Sequence, residues 1–293
     1  MKRIAKKLVF AFDGIEPPDG FLKFLKEEKP GGVILFERNV AGLGHLRKLT
    51  AKIHSASPES LIMIDEEGGA KSRLRRGFPN PPDPRKIASE DIHELYRIAG
   101  EALAELGIDV DLAPVVDVAP PEHILGDRAF SDDAETCAES AAAAIAGLLS
   151  AGIIPCAKHF PGLGSASIDP HIAVSVAEED ADFADKHFIP FRAAIQAGVP
   201  AIMTTHLVAK SLDSTGEIAT FSRTMIDILR NDLGFSGTIL SDDLFMGGAG
   251  RFDIVERAFR ALSAGHDMVL LCSEIAEPRD FIEALDRRFR NSR

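Results

Sequence analysis

The chain has 293 residues, with 33 Lys and Arg against 45 Asp and Glu, a formal charge of −12 at pH 7. At about 150 residues per domain this length suggests two domains, but an α/β barrel uses about 250 residues as one. A 45% apolar and 27% charged composition with mean hydropathy +0.04 excludes a disordered or collagen-like chain, and so acidic a surface excludes nucleic acid and anionic lipid as main partners.

From the N-terminus, Met1 to Lys7 is basic, but the apolar run after it stops at Asp13 and no small-residue cleavage site follows. No stretch approaches the roughly 20 apolar residues that span a bilayer, so the chain is expected in the cytoplasm. Apolar runs then recur at Leu8 to Phe12, Gly32 to Leu35, Leu61 to Ile64, Val110 to Leu112, Ile153 to Cys156, Ala201 to Met203, Thr238 to Leu240 and Met268 to Leu271. Amphipathic stretches between them predict helices over His45 to Ser55, Ile92 to Leu106, Ala134 to Ser150, Asp182 to Ala197, Met225 to Leu233 and Ile254 to Ala264. Ser222 is placed to cap a helix N-terminus, and Gly107, Gly152, Gly198, Gly234 and Gly265 to stop helices just before strands. The Pro-rich stretch Phe78 to Pro84 reads as a long loop after the third run, too short to separate domains. The alternation predicts α/β class: a single (β/α)8 TIM-type barrel, one catalytic domain over residues 1–293. The three cysteines, Cys137, Cys156 and Cys272, lack zinc-ribbon spacing and are expected as buried small hydrophobes. His45, His54, His93 and His187 fall on helix or loop stretches and are expected to be solvated.

In such a barrel the chemistry sits where strands end. The third run leads into Asp65-Glu66-Glu67-Gly68-Gly69, the fifth into Lys158-His159-Phe160-Pro161-Gly162, the sixth into Thr204-Thr205-His206 and the seventh into Ser241-Asp242-Asp243; the fourth leads to Asp117. A lone Asp at a strand end is usually a helix cap, but charged groups after several runs, beside glycine pairs, predict a binding cleft. No G-x-S-x-G elbow and no Walker loop is present. Lys158 leaves a Schiff-base lyase open, and His159, His171, His206 and Asp242 leave a metal-dependent hydrolase open, though no paired-histidine spacing supports it. Glycoside hydrolysis fits better in kind. Asp242 or Asp243 can serve the sugar carbon, and Asp169, two residues before His171, can orient an imidazole that acts as acid and then base.

At these residues the sequence resembles the bacterial β-N-acetylglucosaminidases of glycoside hydrolase family 3. Their block Lys-His-(Phe or Ile)-Pro-Gly-(His or Leu)-Gly, four free positions, then Asp-(Ser or Thr)-His is reproduced by Lys158 to Gly164 with Asp169-Pro170-His171 at all but one site. Asp65 to Gly69 resembles the family's Asp-x-Glu-Gly-Gly, and Gly234 to Leu244 its nucleophile strand; Gly32 to Asn39, Gly126 to Phe130 and Met203 to His206 are also similar. The resemblance implies that Asp242 is the nucleophile of a covalent glycosyl-enzyme, with His171 the acid/base and Asp169 its partner. It implies that Asp65, Arg73, Arg128, Lys158 and His159 hold the sugar. The implied activity is retaining removal of terminal non-reducing N-acetylglucosamine, with cell-wall muropeptides as a substrate of cytoplasmic members. No metal or organic cofactor and no macromolecular partner is implied, and a monomer is compatible with the sequence, which sets no oligomeric state. Members with a second α/β domain are much longer, so the acid/base is expected within the barrel.

Two departures bear on this expectation. Ala70 and Lys71 stand where the family has Arg and an apolar residue, which predicts altered sugar contacts near the third strand. Pro170 replaces Ser or Thr inside the dyad, stiffening its loop and predicting slower catalysis. The alternatives are a family 3 β-glucosidase or β-xylosidase, which the 158–171 block argues against, and a catalytically impaired sugar-binding barrel. An imidazole acid/base, unlike a carboxylate, does not become an anion beside the incoming acceptor. Phosphate is therefore predicted to compete with water in the second step: glycosyl phosphate should accumulate at millimolar phosphate, and products independent of phosphate would sink the idea.

Overall fold

The computed structural model describes residues 2–177 and 182–292. Eight parallel strands close into a barrel: β1 (Leu8–Ala11), β2 (Gly32–Leu35), β3 (Leu61–Ile64), β4 (Val110–Asp111), β5 (Ile154–Phe160), β7 (Ala201–Thr204), β9 (Thr238–Asp243) and β10 (Met268–Glu274). Each pairs with its neighbours in chain order, and β10 returns to β1 with Leu8 opposite Val269. The two remaining strands, β6 (Ser175–Val176) and β8 (Leu207–Val208), form a separate short parallel pair.

The strands read as unbroken apolar runs because both faces are covered. Inward positions alternate with outward ones: Val9, Ile34, Met63, Val110, Cys156, Met203, Leu240 and Leu270 fill the barrel. Phe10, Leu35, Ile62 and Ile64 face the helices. The predicted helices form the outer layer as α3 (Leu43–Ala56), α4 (Ile92–Glu105), α5 (Ala134–Ser150), α6 (Phe183–Gln196), α7 (Arg223–Asp227) and α8 (Ile254–Ala264). Two more helices cover β1 and β10: α2 (Phe21–Glu28), which buries only Phe21, Phe24 and Leu25, and α9 (Pro278–Arg290), which buries Phe281, Ile282 and Leu285 beneath a charged face. A short helix α1 (Lys2–Ala5) precedes β1. The expected glycine stops hold, with left-handed φ of 76° at Gly107 and 80° at Gly152 and Gly198.

Four strands run further than their apolar runs predict. β7 adds Thr204, β5 continues through Lys158 to Phe160, β9 to Asp243 and β10 to Glu274, so the candidate residues Lys158, His159 and Asp242 sit on strands instead of the loops after them. The reason is electrostatic: inside the rim of the barrel these polar groups find charged or backbone partners, and the ladder need not stop where apolarity does. The predicted helix over Met225 to Leu233 starts earlier, at Arg223, and loosens at Ile228–Asp232 into a wider turn. Among the described residues no helix is long and apolar enough to cross a membrane.

Ser222 caps α7, accepting from the Met225 amide at 3.1 Å while its hydroxyl donates to the Asp213 carboxylate at 2.5 Å. Both ends are buried. Ser222→Ala removes the cap and strips a buried carboxylate of a donor, so it should lower stability by about 1–2 kcal/mol in a denaturant titration.

Candidate active site

A cavity of about 340 Å³ opens at the C-terminal ends of the strands. Seven of the eight residues assigned by sequence line it: Asp65 and Arg73 after β3, Arg128, Lys158 and His159 on β5, His171, and Asp242 on β9. The eighth, Asp169, lines a narrower cleft that His171 and Asp242 share.

Five charges form an alternating ladder across the wall. Arg73 Nη2 donates to Asp65 Oδ2 at 2.7 Å, and Lys158 Nζ reaches the other oxygen of Asp65. The same ammonium lies 2.7 Å from Glu67 Oε1, and Arg128 grips Glu67 with two bonds of 2.7 and 2.8 Å. Burial alone would raise the Glu67 carboxyl, but the Arg128 and Lys158 charges outweigh it and hold the group well below the ordinary carboxylate range. Asp65 is lowered in the same way, burial being overcome chiefly by Lys158. Burial opposes the Lys158 ammonium, yet Asp65 and Glu67 raise its pKa. Lys158 is therefore both a cavity residue and an ion-pair partner.

Glu67 is not among the residues the sequence assigns, nor is Glu66, which organises the loop that delivers Arg73. The buried Glu66 carboxylate accepts from the amides of Arg73 and Leu74 at 2.8 Å each and of Gly68 at 3.2 Å. Its pKa is raised, by burial. The expected weakening near the third strand meets this geometry: Ala70 is exposed, does not line the cavity and gives its amide to Asp83 at 2.8 Å, while Arg73 fills the wall.

Asp117 is the partner of His159. Its buried carboxylate accepts from the imidazole Nδ1 at 2.7 Å, from the His159 amide at 3.2 Å and from the Leu163 amide at 2.6 Å. That pairing leaves Nε2 as the ring atom available to a ligand. The signal is present in sequence, since Asp117 follows the fourth run, but nothing there says which loop it faces.

The dyad is formed and open. Asp169 Oδ1 lies 2.7 Å from His171 Nδ1 and 2.9 Å from the His171 amide. The two side chains are 42% and 67% exposed. Burial is the largest single influence on Asp169 and disfavours its anion, but the bonds to the His171 amide and ring together lower its pKa on balance. On β9 the adjacent aspartates differ. Asp243 Oδ1 is occupied by the amides of Phe245 and Cys272 at 3.0 Å each, and burial raises its pKa. Asp242 accepts only the Asp243 amide, at 2.8 Å, among the described hydrogen bonds. His206 is buried, and its Nε2 meets the Asp243 carbonyl at 2.8 Å; a carbonyl only accepts, so that nitrogen carries the proton. Burial lowers its pKa.

Some expectations are corrected. His187, expected to be solvated, is buried, its ring 4.7 Å from that of Phe183, because it lies on the inner face of α6 beneath Gly162. Of the cysteines, Cys137 and Cys156 are buried, but Cys272 is half-buried and lines the cavity. Among the described residues no group of three or more His, Cys, Asp and Glu could hold a metal ion.

A closed parallel barrel with carboxylates, an imidazole dyad and a charged ladder converging at its C-terminal rim defines a TIM-barrel enzyme. Residues 14–291 match the model of the glycosyl hydrolase family 3 N-terminal domain. The chain belongs to glycosyl hydrolase family 3 and is a glycoside hydrolase. It is similar to the beta-hexosaminidase of Methylobacillus flagellatus, 40% identical over 276 residues that cover 89% of this chain and 78% of that protein. The Nitrosomonas eutropha beta-hexosaminidase is 37% identical over 273 residues, 88% of this chain and 78% of the relative. Among solved structures, a family 3 beta-N-acetylglucosaminidase from Paenibacillus sp. str. FPU-7 matches with TM-score 0.93 and 30% identity; it covers 100% of this chain, which spans only 58% of that one. NagZ from Neisseria gonorrhoeae in complex with N-trifluoroacetyl-D-glucosamine matches with TM-score 0.85 and 31% identity over 96% of this chain and 84% of that one.

Glu67→Gln keeps the shape of the ladder but removes the charge shared by Lys158 and Arg128. Leaving two buried cations under-paired should cost about 3–5 kcal/mol at neutral pH. The sign with pH follows from the lowered carboxyl. Below the ordinary value of 4.5 the unfolded chain takes up its proton first, so the native protein loses stability as pH falls toward the depressed folded value. Unfolding titrations from pH 7 downward should show this acid slope, and Glu67→Gln should flatten it; equal slopes would remove Glu67 as its source.

Proposed function

We propose that the chain is a retaining exo-β-N-acetylglucosaminidase that removes terminal non-reducing N-acetylglucosamine. The observation that carries the reading is that Asp242 on a rigid strand and His171 on a loop, paired with Asp169, open onto one cavity beside the charged ladder. The names of the similar proteins, beta-hexosaminidase and beta-N-acetylglucosaminidase, support the same substrate.

Asp242 attacks the anomeric carbon as the glycosidic bond breaks, and His171 gives its Nε2 proton to the leaving oxygen. The product is a glycosyl ester of Asp242. His171, now neutral, accepts a proton from water, which attacks the same carbon from the opposite face and releases Asp242. Two inversions retain configuration. Asp169, held to Nδ1, keeps the ring in the orientation that leaves Nε2 free and stabilises the imidazolium that precedes the first transfer and follows the second. Asp65, Arg73, Arg128, Lys158 and His159 bind the hydroxyls and the acetamido group.

The three wall cations face two carboxylates, Asp65 and Glu67, so one positive charge is left over. A wall whose charges are mostly paired within it suits a neutral sugar. The reading extends to peptidoglycan-derived muropeptides as substrate and to the cytoplasm as the place of action; both rest on resemblance to the family, and the acidic surface leaves a small carbohydrate as the partner.

Chromogenic N-acetylglucosaminide and glucoside, tested on the native chain and on Asp242→Ala, check the reading. The native chain should cleave the N-acetylglucosaminide preferentially, and Asp242→Ala should lose at least about 10³-fold in kcat, the scale of a nucleophile lost from its catalytic unit. Cleavage of neither substrate would favour the sugar-binding barrel, preference for the glucoside would favour the β-glucosidase, and full activity in Asp242→Ala would remove the nucleophile.

A further inference from the structure

The loop that carries the dyad reaches across the cavity and touches down on the strand that carries Asp242. Just beyond β9 the chain turns through Gly247–Ala249. There the Gly248 amide donates to the Pro170 carbonyl at 2.7 Å, and the Gly247 amide to the His171 carbonyl at 3.3 Å. Two main-chain bonds thus join the tip of the acid/base loop to the turn that follows the nucleophile strand.

Neither glycine is demanded by its own backbone, since neither has φ in the left-handed region. The approach of the loop demands them. A Cβ on Gly247 would stand 2.3 Å from the Ile172 carbonyl oxygen and 3.1 Å from that of His171, and its three nearest atoms all belong to the loop. A Cβ on Gly248 would be pressed between the Pro170 carbonyl at 2.6 Å and the His206 Cβ at 2.9 Å. His206 is buried and bonded at both ring nitrogens, whereas the dyad side chains are open to solvent. The side that gives way to an added methyl is therefore the loop.

We propose that Gly247 and Gly248 are positioning residues: a seat without side chains that sets the height of His171 over Asp242. The proposal rests on the reading of His171 as acid/base and Asp242 as nucleophile. A seat of this kind acts on proton transfer and leaves the nucleophile in place, and it has a signature that general structural damage lacks. A leaving group that departs without a proton hardly needs the acid, while an alkyl or sugar aglycone does. Azide can replace the base-assisted water: its nitrogen forms a bond to the anomeric carbon as the ester bond to Asp242 breaks, giving glycosyl azide and the free carboxylate, with no proton to move.

The test compares dinitrophenyl and methyl N-acetylglucosaminides, with and without azide, on the native chain, Gly247→Ala, Gly248→Ala and His171→Ala. Displacing a catalytic group by about 1 Å costs on the order of 10²-fold, so kcat/KM of Gly247→Ala on the methyl glycoside should fall about that much, and at least tenfold more than on the dinitrophenyl glycoside. Azide should accelerate dinitrophenyl turnover in this variant and yield glycosyl azide. Gly248→Ala should behave likewise. Equal losses on both substrates, native-like values, or no response to azide in Gly247→Ala would overturn the seat. Loss of the folded barrel in thermal unfolding would also overturn it, because it would show that the turn supports the core and not the loop. His171→Ala separates the premises: if it lacks the leaving-group dependence and azide response, the acid/base assignment fails whatever the glycines do.

Discussion

The site depends on a ladder of five alternating charges, buried at its centre and half-buried at its ends, from Arg73 through Asp65, Lys158 and Glu67 to Arg128. Each of these groups left alone in the barrel rim would carry a desolvation cost of several kcal/mol. In sequence they come from three separate places: the loop after β3, the loop before α5, and β5 itself. No short stretch can satisfy its own charges, so the ladder forms only when the barrel closes, and its closure holds the loops. Glu67 is the least visible member and the most constrained, since it stays out of the cavity while fixing two side chains that line it. On the proposed function the same arrangement serves binding: oriented donors and acceptors are present before a sugar arrives, and little reorganisation remains.

Rigidity is divided unequally around the cavity. Asp242 lies on a strand paired on both sides, with His206 beneath it holding the carbonyl of Asp243. Across from it, the dyad loop is tied at its root, where Leu163 gives its amide to Asp117, and at its return, where β6 lies against β8. Between those ties Ile168 and Ile172 stand exposed at 47% and 76%. On the proposed function this division is apt: a nucleophile gains from being fixed, whereas an acid/base that must serve a departing aglycone and then an entering water gains from a support that contacts it only by main chain.

Much of this is legible in the sequence, and the features that are not share a cause. Eight apolar runs disclose the barrel because burial on both faces leaves an unmistakable trace, and the glycines before strands mark turns that need left-handed φ. The run criterion ends β5 at Cys156 and β9 at Leu240, short of Lys158 and Asp242, because a polar residue in the barrel rim looks the same in sequence as one in a loop. Helix α9 is not foreseen since only Phe281, Ile282 and Leu285 are buried and most of the other residues are charged. The motif residues that touch the cavity can be found; those that act one layer back escape assignment, Glu66 because it serves backbone amides, which carry no residue signature, and Glu67 and Asp117 because their value lies in long-range partners. Asp117 and His159 are 42 residues apart, and Glu67 and Arg128 are 61.

Two histidine–aspartate pairs in the same site make the point about environment. In each, a carboxylate oxygen lies 2.7 Å from an imidazole Nδ1. His159 and Asp117 are buried, and the carboxylate is spent on two backbone amides as well, so the ring is locked and presents one unchanging face to a ligand. His171 and Asp169 are two residues apart on an exposed loop, where water can reach the ring and a proton can leave it. Identical pairing chemistry therefore gives a fixed ring in one place and a solvent-open one in the other, which is the division of labour the proposed function needs. What separates them is burial and the span of chain between partners.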